Sequence, residues 1–289
     1  EAQLALRNLE NQGSPWGFGP EDRKEWAEGM DVRFLDGDTK AEWLLWVGCA
    51  GSFDDRAKKI TRSVAGIFNE AGLDWGTLGP SEGCTGDPAR RMGNEYLAQE
   101  LIQQNVETLK EHAVKKICTA CPHCYNTLKN EYGQFGGEFE VVHHSELIND
   151  LIEQGKISPK KKSKAVKAAF HDSCYLGRHN RIFDAPRDIL AKIPGLKTVE
   201  MDRNREMGMC CGGGGGLSWF EEDTDKRVND RRVEQAAQAI EKTEAGENQL
   251  IATSCPFCLT MIEDGLAARK TKMENRDIAE LVAEAIAEA

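Results

Sequence analysis

Long apolar runs are missing from this 289-residue sequence, and none approaches the ~20 residues a helix needs to cross a bilayer. No secretory signal opens it. The chain is therefore expected to be soluble on its own and cytoplasmic. Positive charge is in short supply: 37 Lys and Arg stand against 48 Asp and Glu, a net charge of −11. That balance argues against nonspecific nucleic-acid binding. The first residue is Glu1, not Met, so the sequence reads as one part of a longer polypeptide.

Cysteine is plentiful, with ten residues. Disulfide-dense proteins are usually small and secreted, whereas this chain has length for a real core and helix and strand patterning to fill it. Its thiols also fall into groups. Cys210-Cys211 precedes the five glycines Gly212–Gly216, with Cys174 upstream and Cys255-Pro256-Phe257-Cys258 downstream. Five glycines lose much chain entropy on ordering, so something must hold that backbone. Five thiols exceed what a tetrahedral zinc needs and suit a cluster of irons. No Lys-Ser or Lys-Thr follows the glycines, which weakens a phosphate-cradling reading.

Residues 1–40 form an N-terminal extension, with Leu4, Leu6 and Leu9 in a short helical pattern and Trp16 and Trp26 as anchors. Trp43–Val47 reads as a buried strand delivering Cys49, followed by a helix from about Asp54 that stops at Gly72. Cys84-Thr85-Gly86 comes next. Asp87 then caps one long helix with Leu97, Leu101, Ile102, Val106 and Leu109 inward. Strands are expected at 114–118, leading into Cys121-Pro122-His123-Cys124, and at 139–142. The lysine-rich stretch Gly155–Lys164 reads as an exposed linker. Beyond it a strand near 166–170 delivers Cys174, and a helix starts at Asp184. A long polar helix covers about 221–242, and the strand 249–253 delivers Cys255.

The order repeats. Cys49 and Cys84 are 35 positions apart, Cys174 and Cys210 are 36, and both Cys121 to Cys255 and Cys124 to Cys258 span 134. This register predicts an α/β protein of two pseudo-symmetric cysteine-rich domains, 41–155 and 165–289, after the extension. In such sheets ligands gather beyond the carboxyl ends of strands, where Cys49, Cys121, Cys174 and Cys255 fall.

Cys121 and Cys255 each open a helix with proline in its first turn, where free N–H groups and the helix dipole favour a thiolate. Glycines after Cys211 let backbone N–H groups approach a sulfur-rich anion, which would raise a cluster's reduction potential. Cys-Pro-His-Cys also suits disulfide exchange. Its sister Cys-Pro-Phe-Cys, with further cysteines at matched spacing, fits two clusters better. Structural zinc in each half makes a third reading, a zinc-stabilised interaction module without redox function.

At these residues the sequence resembles the CCG-domain iron–sulfur oxidoreductases of the heterodisulfide reductase B/D family. Cys84-Thr85-Gly86-Asp87-Pro88-Ala89-Arg90-Arg91, Cys121–Cys124 and Ser254–Cys258 look most like the electron-transfer-flavoprotein-linked branch. The resemblance implies a noncubane [4Fe-4S] cluster on Cys174, Cys210, Cys211, Cys255 and Cys258. The first domain departs from the pattern, since Thr85 replaces the second vicinal cysteine. Cys49, Cys84, Cys121 and Cys124 remain, enough for a cubane [4Fe-4S] cluster, with Cys118 read as a buried thiol at a strand end.

The implied function is an iron–sulfur electron-transfer module of a larger oxidoreductase. It relays electrons from an electron-transfer-flavoprotein-like donor toward a membrane cytochrome or quinone-reducing subunit, beside a ferredoxin-like domain, and so sits at the membrane through a partner. Heterodisulfide or thiol–disulfide reduction at the five-cysteine cluster is the alternative. His123, His143 and His144 are read as structural by default. Arg90 and Arg91 either offset cluster charge or lie on a solvated helix face.

Overall fold

The computed structural model describes residues 1–161, 167–220, 227–243 and 248–287. Its strands are short. β1, Trp43–Trp46, reads Trp-Leu-Leu-Trp and is buried at every residue, as expected of a parallel strand covered on both faces. With β2 (Trp75–Gly76), β3 (Lys116–Thr119) and β4 (Glu140–His143) it makes a parallel sheet in the order β2-β1-β3-β4. A second parallel sheet has β5 (Lys167–Phe170), β6 (Lys197–Val199), β7 (Gln249–Thr253) and β8 (Glu274–Asp277) in the order β6-β5-β7-β8. The two orders match, so the α/β duplication is a property of the fold.

This order places the functional residues. From β1 the chain winds outward to β2, then crosses back to β3 on the other side; β5, β6 and β7 do the same. The gap between β1 and β3, and that between β5 and β7, is where crossovers diverge and a crevice opens beyond the strand ends. Cys49 and Cys121 follow β1 and β3, and Cys174 and Cys255 follow β5 and β7.

The helix Asp55–Glu70 begins as its sequence suggests, with the Asp54 carboxylate accepting from Ala57 N–H at 2.7 Å. It buries Ile60, Val64, Ile67 and Phe68. The N-terminal extension belongs to the first sheet's surroundings. Phe34 bridges Thr77, Leu35 N–H donates to Thr77 O at 2.8 Å, and Trp26 is buried.

Several expected boundaries move. The helix expected from Asp87 is two, Asp87–Arg91 and Glu95–Glu111. Gly93 at φ +89° breaks it, and the Asn94 side chain caps the second piece by accepting from Leu97 N–H at 3.1 Å. Asp87 itself is the first helical residue, behind Gly86 in the left-handed region. Leu4 is exposed; Ala5 and Leu9 are the buried residues of the helix Ala2–Gln12. The strand expected at 114–118 runs from Lys116 to Thr119, and that at 139–142 from Glu140 to His143. Of the polar helix expected over 221–242, Val228–Glu241 is helical, and 221–226 lies outside the described residues, as do Val166 and 162–164.

The chain divides into two compact units. One is Glu1–His144 with Gly215–Glu221; the other is Ser145–Gly214 with Glu222–Ala289. The helix His144–Glu153 thus lies almost wholly in the second unit, where Lys192 Nζ donates to Asn149 Oδ1 at 3.0 Å and pairs with Glu153 at 3.2 Å. Among the described residues no helix is long and apolar enough to cross a membrane.

Candidate metal centre

In the first unit four cysteines gather at the β1/β3 crevice. Cys49 is the second residue of the helix Gly48–Phe53, Cys84 stands before Asp87–Arg91, and Cys121 caps the helix Pro122–Asn130 that carries Cys124. Cys49 and Cys84 are hydrogen-bonded thiol to thiol, as are Cys121 and Cys124, and Cys124 feels the charge of both Cys84 and Cys49. Gly48 makes room for this. Its φ is +74°, and a Cβ there would lie 3.2 Å from Cys124 Sγ.

Proton sharing splits each pair. The Cys84 hydrogen bond, with the Arg23 guanidinium, holds Cys49 down at about 6 against burial. Burial works against Cys121 too, but the Cys124 hydrogen bond and the His123 charge bring it to about 7. Cys84 and Cys124 are pushed well up by the same bonds. In each pair one thiol is thus the readier to ionise, and ligation requires thiolates.

Arg23, from the N-terminal extension, carries no local sequence signal. It is buried, with Nη2 3.3 Å from Cys49 Sγ and 3.2 Å from Gly13 O, and Nη1 3.3 Å from Glu82 Oε1. Glu82 also accepts from Val47 N–H at 2.9 Å and Gly48 N–H at 2.7 Å. One buried ion pair therefore fixes the backbone that carries Cys49. Thr85 is buried beside Cys84; its carbonyl accepts from Tyr132 Oη at 3.3 Å, and Asn105 Nδ2 donates to Cys84 O at 2.7 Å. Cys118 lies buried on β3, in register with Leu45 and Val142.

Arg90 and Arg91 are engaged in ion pairs. Each pairs with Glu131, Arg90 also with Glu95 at 2.6 Å and Arg91 with Asp87 at 3.0 Å, so their charge is answered by carboxylates. His123 Nδ1 lies 3.3 Å from Asp87 Oδ2. His143 and His144 are buried and share a hydrogen bond at 3.2 Å, and His143 Nε2 meets Ala120 O at 3.3 Å. His143 and His144 are held in structural hydrogen bonds, whereas His123 also lends charge to Cys121.

In the second unit the other five cysteines form one continuous chain. All are free thiols linked by hydrogen bonds: Cys174 to Cys210, Cys210 to Cys211, Cys211 to Cys258, and Cys258 to Cys255. Cys210 is held well below a free thiol, chiefly by Cys174 and Cys211, with Gly212 N–H donating to its sulfur at 3.3 Å. Gly212 adopts φ +98°, a conformation glycine takes without strain. Cys174 and Cys211 are pushed upward by neighbouring thiols and burial; for Cys258 the Cys211 bond lowers, but the Cys255 bond and burial outweigh it and push it up. Cys211, Cys255 and Cys258 are buried; Cys174 and Cys210 are half-buried.

Two further residues flank this set. A ring nitrogen of His171 lies within 4.8 Å of the Cys211 and Cys258 sulfurs, and Arg232 Nε donates to His171 Nδ1 at 2.9 Å. Burial first, then the Arg232 charge, brings the His171 pKa down to about 3, so the ring is neutral. His171 Nε2, Arg232 Nη2 and Ser254 Oγ are buried with no partner in the protein. Buried polar atoms are seldom left unsatisfied. Orphaned N–H groups in a His171–Arg232 network that reaches the Cys211 and Cys258 sulfurs suit a bound anionic iron–sulfide group, and the donor set fits one.

The sequence profile of the CCG cysteine-rich domain matches twice, at residues 43–129 and 168–263. The chain belongs to the CCG family. Each CCG match holds one of the two cysteine sets, ending at the Cys-Pro-x-Cys helix. The chain is 44% identical to the Bacillus subtilis (strain 168) protein named "Probable iron-sulfur-binding oxidoreductase FadF", covering 99% of this chain and 41% of that protein. It is 43% identical to the "EtfAB:quinone oxidoreductase" of Syntrophomonas wolfei, over 98% of this chain and 40% of that one. It is 36% identical to a component of the dihydromethanophenazine:CoB–CoM heterodisulfide reductase of Methanosarcina mazei, over 94% of this chain and 65% of that component. The chain thus spans about two fifths of the length of the first two relatives.

Proposed function

We propose that this chain is the two-cluster electron-transfer module of a larger oxidoreductase. In this reading it accepts electrons from a flavoprotein of the electron-transfer-flavoprotein kind and passes them toward a quinone-linked membrane partner, on the cytoplasmic side and beside a ferredoxin-like domain. The observation that carries the reading is the collection of nine cysteines into two separate sets, each in the crevice of its own parallel sheet. Cys49, Cys84, Cys121 and Cys124 would hold a cubane [4Fe-4S] cluster, and Cys174, Cys210, Cys211, Cys255 and Cys258 a noncubane one. Bound there, the clusters supply one-electron oxidation and reduction.

The chain's own residues prepare both places. Arg23 offsets negative sulfur charge at Cys49, and Gly48 lets Cys124 come close. Gly212 N–H does for Cys210 what Arg23 does for Cys49. A second reading, thiol–disulfide reduction at the five-cysteine set, is favoured by the partial exposure of Cys174 and Cys210. Stopped-flow mixing of the anaerobically loaded protein with a reduced electron-transfer flavoprotein separates the two. The relay reading expects cluster bleaching by the flavoprotein and recovery on adding a soluble quinone. Bleaching that recovers only with a disulfide substrate would replace it with the reductase reading.

A further inference from the structure

The buried pair His171 and Arg232 takes no part in ligation as proposed, yet it is placed against the second cysteine set. His171 directly follows β5, and its backbone N–H extends the β5–β7 ladder by donating to Ala252 O at 2.9 Å. Its side chain is fully buried. Arg232 stands on the buried face of the helix Val228–Glu241. Its Nη1 donates to Arg203 O and Gln235 Oε1, both at 2.9 Å, and its Nε to His171 Nδ1.

This geometry fixes the tautomer. A guanidinium carries only donors and keeps its proton in proteins. Nδ1 of His171 must then accept, and the proton of the neutral ring sits on Nε2. That nitrogen has no lone pair in the ring plane to offer a metal. It is a donor, buried, without a protein partner. Arg232 Nη2 is a second such donor in the same network. The first half has a parallel: three residues before Cys49, where His171 stands three before Cys174, is Trp46, whose buried indole N–H also lacks a partner.

We infer that His171 is a hydrogen-bond donor from Nε2 to the sulfur side of the group held by Cys174, Cys210, Cys211, Cys255 and Cys258, not a further ligand, and that Arg232 holds it in that tautomer. The inference rests on the cluster-binding reading proposed above. A donor to cluster sulfur favours the more negative, reduced form and raises the potential. His171 therefore makes the second site easier to reduce, and Arg232 is its positioning residue.

The test uses the full chain, reconstituted anaerobically with iron and sulfide, in wild-type, His171→Gln, His171→Phe and Arg232→Met forms. All should carry iron and acid-labile sulfide at the wild-type level. Titration followed by electron paramagnetic resonance should show reduction of the second site disfavoured about tenfold in His171→Phe, which for one electron is ~59 mV. His171→Gln, which keeps an amide donor, should recover most of that shift. Arg232→Met, which frees the tautomer, should fall between. With ¹⁵N-histidine, the reduced wild type should show a weak nitrogen coupling that His171→Phe abolishes.

A strong coupling in the wild type, with iron lost from the second site alone in the variants, would make His171 a ligand and overturn the donor assignment. An unchanged potential in His171→Phe overturns it too. Should that variant not fold, absence of any histidine coupling in the wild type does the same. A wild type that binds no iron and sulfide removes the functional reading itself, and this inference with it.

Discussion

Arg23→Met asks the most of the first site. The guanidinium is buried against Glu82, with side-chain exposures of 2% and 1% and a separation of 3.3 Å. Removing one member of a buried pair costs about 3–5 kcal/mol, because the other charge is left uncompensated. Here Glu82 keeps two backbone donors, Val47 N–H and Gly48 N–H, which puts the expected cost at the lower end, about 3 kcal/mol. Glu82→Gln takes away the carboxylate but leaves Arg23 its bonds to Gly13 O and Cys49 Sγ, so it should cost no more than Arg23→Met. The double variant leaves neither charge stranded, so it should cost less than either single variant and fall well short of the ~6 kcal/mol that addition would give. Urea unfolding read by tryptophan fluorescence is suited to this, since Trp26 lies in the same arm and Trp46 on β1. A single-variant cost below about 1 kcal/mol, or an additive double variant, would refute the claim that this pair anchors the Cys49 segment.

Three further outcomes follow from the same geometry. Gly48→Ala forces a side chain into a left-handed conformation at φ +74°, 3.2 Å from Cys124 Sγ; it should cost about 1–3 kcal/mol and lower iron at the first site while sparing the second, as Mössbauer spectroscopy would show. Asn94→Ala removes the cap on Leu97 N–H; thermal unfolding should show a loss of about 1 kcal/mol with iron content unchanged, and an iron loss would tie this helix to the site. Thr85→Cys restores the vicinal pair seen at Cys210-Cys211, and its first-site resonance should move toward that of the second; an unaltered spectrum would show that a fifth thiol there is not taken up.

Much of this was legible because sulfur spacing is a strong signal. The repeated intervals gave the duplication, and Cys-Pro-x-Cys at strand ends gave the crevices. Four-residue apolar runs such as Trp43–Trp46 gave the central strands. What was illegible depended on tertiary contact. β8 reads Glu-Asn-Arg-Asp, with no strand propensity; Asn275 is buried because its amide donates to Leu259 O at 2.7 Å, and Asp277 because it caps the following helix. β2 is two residues long and exists through its pairing with β1. The split at Gly93-Asn94 carried a signal, glycine before a capping residue, that a continuous apolar stripe outweighed. Arg23 reaches Cys49 across 26 residues, which no local pattern encodes. Arg232 was partly readable, since a charge on the face shared with Val233, Ala236 and Ile240 must find a buried partner.

Two distinct iron–sulfur sites, one in each half, are what the proposed function requires. Anaerobic purification with iron and acid-labile sulfide analysis, joined to electron paramagnetic resonance of the wild type and of Cys211→Ser, tests it most directly. The expected result is a brown protein with both elements bound and two distinguishable signals, of which Cys211→Ser alters or abolishes one and leaves the other. A colourless protein containing zinc without sulfide, or loss of all iron from that single substitution in a folded chain, would contradict it.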